Sequence, residues 1–224
     1  MKKDKTKIQE KKDKLLIFFG ALVLITALAF VGGSSMYTLI GQSVMEESMD
    51  KLLEDGGKTV KFASGKVYAC SPEILRIEHS IDFIPTGTEY YYVIMDIENR
   101  NCMVAKAPKN WDLDYFQDLY NKEGIEASGQ VKEMDHDVKK AFATFIERRQ
   151  MADYNYSSVY YIDLMAKKKA IIGLTGFILD IVTAGIIVFI IKQKGTNRRN
   201  KGLGIAALIT LVAGLILTIK WFEV

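Results

Sequence analysis

One carboxylate, Asp180, stands almost at the centre of the apolar run from Ala170 to Ile191. An aspartate at the middle of a spanning helix costs about 2.5 to 3.5 kcal/mol on insertion scales, so such a group needs partners. Thr26 and Thr210, in two further apolar runs, are the expected intramembrane polar partners, and Thr183 is three residues on in the same run. Small residues at Gly173, Gly176, Ala206 and Gly214 allow close helix approach. The predicted arrangement is a neutral acid hydrogen-bonded to a threonine, since desolvation raises a carboxyl pKa. Its role is polar glue between helices, or an ion or proton site.

Acid–base chemistry has little else to work with. His79 and His136 are the only histidines, and neither has a serine or cysteine partner indicated by spacing. Asp135-His136-Asp137 has metal-ligand types, but helix capping and dipole preference account for it. Glu78, His79 and Asp82 fall on alternating faces of an extended segment. There is no Gly-rich phosphate loop, G-x-S-x-G, H-E-x-x-H or C-x-x-C. No catalytic residue, metal or cofactor is expected.

Recognition chemistry is better represented. Tyr90, Tyr91 and Tyr92 put aromatics on both faces of one strand, so one of them is expected at a lip. Tyr90 and Tyr92 with Trp111 are the expected ligand- or partner-binding residues, packing of the sheet being the competing role. Cys70 and Cys102 are the only cysteines. Either they form a disulfide worth roughly 3 to 4 kcal/mol, or they are two buried thiols in neighbouring strands.

The elements that position these residues follow from periodicity. Three apolar runs, Leu15–Val31, Ala170–Ile191 and Leu203–Phe222, read as transmembrane helices; about 1.5 Å per residue carries each towards a hydrocarbon core of about 30 Å. The first is expected as a retained anchor, although Ala27-Leu28-Ala29 has the form of a cleavage site. Helical spacing continues to Gly56-Gly57 as a stalk. Extended segments are predicted at 59–69, 74–84, 89–97, 102–107 and 125–134, with a short helix over 112–121 and a longer one over 135–150. Residues 159–165 read as a sixth strand or an interfacial segment.

The chain of 224 residues has a net charge of +3, unevenly spread. Residues 1–14 carry seven lysines against three acids and the 192–202 loop carries five bases, whereas 46–169 hold 17 bases against 22 acids. That partition reads as a topology signal, and no basic cluster is interleaved with aromatics as nucleic-acid binding would require. The predicted organisation is a cytoplasmic basic tail (1–14), a first transmembrane helix and stalk (15–55), an extracytoplasmic β-rich domain (56–150), a linker and interfacial segment (151–169), and a transmembrane hairpin (170–222). The fold class expected is thus an α+β membrane protein, three transmembrane helices plus an OB-like small barrel with a terminal helix.

Four segments carry a resemblance: Glu89-Tyr90-Tyr91-Tyr92, the Pro108 to Phe116 stretch with Trp111, Ser128-Gly129-Gln130-Val131, and Tyr160-Tyr161-Ile162-Asp163. In this order the chain resembles a family of uncharacterised small multi-pass membrane proteins of Gram-positive bacteria. The resemblance implies a cell-membrane location with an extracytoplasmic domain and supplies no active site; the basic tail and hairpin loop orient the chain with the N-terminus cytoplasmic and residues 46–169 outside, at the cell envelope. The expected function is a membrane-anchored, non-enzymatic binding or interaction protein. Its partners would be the lipid bilayer, itself or another membrane protein, and no nucleic acid. The alternatives are an envelope hydrolase or transferase with a site at the domain–membrane junction, and a small transport or channel subunit using Asp180.

Overall fold

The computed structural model describes residues 26, 28–81, 84–116, 119–192, 212–214 and 216–217. Residues 28–44 form helix α1. Then follow β1 (Glu46–Ser48), α2 (Met49–Asp55), β2 (Phe62–Cys70), β3 (Leu75–Ile81), β4 (Ile84–Asp96), β5 (Asn101–Ala107), α3 (Trp111–Tyr115), β6 (Tyr120–Glu133), α4 (His136–Arg148), β7 (Asn155–Asp163) and α5 (Ala166–Lys192). By its contacts the chain divides into two compact units, Met1–Ser35 with Gly173–Thr218, and Met36–Ile172 with Ile219–Val224.

The second unit is built on a seven-stranded mixed sheet in the order β1-β2-β6-β7-β5-β4-β3, with an additional pairing of β2 to β4. Pairings are antiparallel except β1–β2 and β5–β7. Register sorts the side chains into two cores. Tyr91 and Val93 of β4 lie opposite Lys106 and Val104 of β5, and this face packs on Val138, Phe142 and Ile146, the i, i+4 stripe of α4. The other face carries Tyr92, Ile94, Met103, Ala105 and Ile162 and packs on Leu52 and Leu53 of α2 and on Trp111 of α3. A central strand buried on both faces needs a continuous apolar run, which Tyr91-Tyr92-Val93-Ile94 supplies.

Local chemistry sets the helix ends. Ser48 Oγ accepts from Lys51 N–H at 3.2 Å to cap α2, and Gly56, at φ 66°, closes it with its N–H on the Leu52 carbonyl. The expected stalk is therefore not one helix: α1 ends at residue 44, and β1 intervenes. The short helix is shorter than predicted because only Trp111 of α3 is buried and Leu113 is 76% exposed. Residues 155–163, read as linker and as a segment beginning near 159, are β7, which sits between β6 and β5.

The expected membrane architecture is corrected here. Among the described residues no helix is long and apolar enough to cross a membrane. In α5 the apolar stretch follows three lysines, Lys167 to Lys169, and contains Asp180. In α1 the apolar character gives way after Val31 to Gly32-Gly33-Ser34-Ser35. On the described residues the fold is a mixed α/β one on seven strands, in place of the expected α+β membrane protein with three transmembrane helices, and the multi-pass cell-membrane location is without structural support. The tail 1–14, residues 15–25, the loop from 193 to 202, and most of 203–222 with Thr210 lie outside the described residues.

In the first unit, Gly32 lies against the Phe177 ring and Gly214 against the Asp180 carboxylate, each so closely that an added Cβ would overlap its neighbour. Asp180 is 9% exposed, and neither carboxylate oxygen has a hydrogen-bond partner among the described residues. The expected threonine bond is thus not made by Thr183, whose hydroxyl donates to the Leu179 carbonyl at 2.9 Å.

Candidate binding site

Tyr92 and Trp111 are core residues. Tyr92 is fully buried with its hydroxyl donating to the Pro108 carbonyl at 3.0 Å, and its ring meets Trp111 edge-on at 6.1 Å. Tyr91 is buried on the opposite face. Tyr90 is partly exposed, and the Arg76 guanidinium lies over its ring at 5.4 Å. The aromatic run therefore contributes one accessible ring, on the strand next to β3. Cys70 and Cys102 are free buried thiols, in different cores on opposite faces of the sheet. Burial raises both pKa values, that of Cys102 to about 12.

Across the sheet face beneath α4 runs a row of charges that the sequence did not announce. Lys106 (β5) Nζ donates to Glu89 (β4) Oε1 at 2.7 Å, and Lys132 (β6) Nζ donates to Asp163 (β7) Oδ2 at 2.5 Å. Parallel register brings Lys106 opposite Asp163. Glu89 Oε2 also accepts from the Tyr91 hydroxyl at 2.6 Å and lies 3.5 Å from His79 Nε2. Burial pushes the Glu89 pKa up, but the bonds from Lys106 and Tyr91 outweigh it and hold the carboxyl at about 2. Burial together with the bond to Glu89 raises the Tyr91 pKa. Desolvation, then the charges of Lys106 and Lys132, lowers that of Lys169 in the first turn of α5. Here the acids and bases satisfy one another, which makes the row a structural lock on four strands.

Open space lies elsewhere. A groove of about 730 Å³ runs between β3 and α4, its apolar lining from Ile74, Leu75, Ile77, Ala141 and Phe145. β3 terminates the strand order, so its outer backbone edge has no neighbouring strand among the described residues. Alternation aims Leu75 and Ile77 to the α4 side, where they are half-buried, and leaves Arg76 and Glu78 on the other face, exposed. Arg76 is held there by Glu73, at 3.3 Å, as well as by Tyr90.

Of the other sequence-derived candidates, Glu78 and His79 are both on β3 and His136 is exposed at the start of α4, while Asp82 lies outside the described residues. Asp135 occupies the N-cap position without a side-chain cap bond. Among the described residues no group of three or more His, Cys, Asp or Glu side chains could hold a metal ion. The edge strand was legible as a strand, yet its terminal place in the sheet and its pairing with a helical wall are tertiary facts without a local signal.

Comparison of the chain with family models, with curated proteins and with solved structures finds no match.

Proposed function

We propose that the chain is an interaction module that binds an extended peptide strand of a protein partner along β3 and catalyses no reaction. A terminal strand presents a row of backbone donors and acceptors that an added strand satisfies, and pockets for alternate side chains then give selectivity. Both requirements meet at one place, since the outer edge of β3 borders the groove whose other wall is α4. An added strand would place every second side chain against Leu75, Ile77 and Phe145. The terminal position of β3 beside that groove is the observation that carries the reading.

Binding of a labelled peptide with the sequence of residues 75–81, followed by fluorescence anisotropy, tests it. Ala141→Trp fills the groove from a half-buried position and should abolish binding while leaving the circular dichroism spectrum unchanged. No binding, or binding indifferent to the filled groove, overturns the reading.

A further inference from the structure

We infer that the strand added to β3 is β3 of a second copy of the chain, in an antiparallel register centred on Ile77; the inference rests on the strand-addition reading above. Residues directly opposite one another in an antiparallel pair lie on the same face, so two identical strands keep their faces matched only in registers centred on a residue. Centring on Arg76 places the two Arg76 side chains opposite each other, and centring on Glu78 does the same with two carboxylates. Like charges so placed are destabilising. Centring on Ile77 puts Arg76 of each copy opposite Glu78 of the other, twice, with Ile77 on Ile77 and Leu75 on His79.

The side chains are disposed for that register. Arg76 is half-exposed and steadied by Glu73 and the Tyr90 ring, and Glu78 is exposed with no ion pair among the described residues. On the groove side the partner's copy of the strand would cover the half-buried Leu75 and Ile77. The contact is isologous, so it closes at two copies and does not propagate into fibres.

Sedimentation of the full chain over a concentration series decides it. The wild type should be a dimer, and R76E and E78K should each weaken association at least about tenfold, because each puts like charges opposite one another at both symmetry-related positions. An equimolar mixture of the R76E and E78K chains should associate again, as should the R76E/E78K double variant, since both arrangements restore opposite charges across the strands. A monomeric wild type, single variants that associate as the wild type does, or a mixture that stays monomeric overturns the inference. A monomeric wild type that still binds the 75–81 peptide overturns it while leaving the strand-addition reading in place; absence of both sinks the two together.

Discussion

Lys106 and Glu89 sit on adjacent strands in contact at 2.7 Å, the lysine side chain 5% and the glutamate 23% exposed. Replacing one partner alone strands a buried charge, so Glu89→Gln should destabilise by about 3 to 5 kcal/mol. Glu89→Gln combined with Lys106→Met should cost much less than the sum of the single changes. Urea unfolding of the three variants measures the coupling directly; additive losses would show that the pair is not a unit.

The same pair sets an acid limit. Glu89 has a pKa of about 2 in the folded chain against an ordinary value of 4.5, so the folded state gains from its ionisation above about pH 4.5 and loses that gain as pH falls towards 2. The shift corresponds to on the order of 3 kcal/mol. Stability measured across that window should fall more steeply for the wild type than for Glu89→Gln. Parallel curves would contradict the assignment.

Gly41 of α1 faces the Phe62 ring, and an added Cβ would overlap it, whereas Gly33 has nothing within 4 Å of that position. Alanine in a helix interior gains about 1 kcal/mol over glycine. Gly33→Ala should therefore be neutral or stabilising, and Gly41→Ala should lose about 1 to 3 kcal/mol through overpacking. Thermal melting should show a lowered midpoint for Gly41→Ala and an unchanged or raised one for Gly33→Ala; a Gly41→Ala midpoint at or above that of the wild type would contradict the contact.

Cys70 and Cys102 occupy opposite faces of the sheet, so non-reduced protein unfolded in denaturant should take up two equivalents of an alkylating reagent. One label or none would place a bond where the packing puts two separate thiols.

Much of the β-rich domain was legible. Glu89 to Ile97 reads as a strand because an aromatic and β-branched run can be little else, and the α4 stripe reads as a helix because Val138 and Phe142 recur at its period. β7 was harder, since its first half, Asn155-Tyr156-Ser157-Ser158, is polar, and its burial comes from neighbours far along the chain. The apolar runs have the composition of lipid spans, yet among the described residues no helix is long and apolar enough to cross a membrane, and Ile171, Ile178 and Ile181 of α5 are about half exposed. The tyrosines show the limit for sites. Alternation showed that Tyr90, Tyr91 and Tyr92 point to two faces, but only tertiary packing reveals that both faces are covered and that Tyr90 alone stays accessible. The Glu89–Lys106 contact likewise joins residues whose types gave no hint of each other.

The claim that β3 receives a strand is tested most directly by residue-resolved amide exchange in the full chain. Along an edge strand alternate amides point inward to the neighbour and outward to solvent. At chain concentrations low enough that copies do not associate, titration with the 75–81 peptide should slow the outward amides of β3 by at least about tenfold while the inward ones, already bonded to β4, change little. The same peptide N-methylated at alternate positions should leave them unchanged. Outward β3 amides that exchange at the same rate with and without the peptide, or that respond equally to the methylated one, would contradict strand addition at this edge.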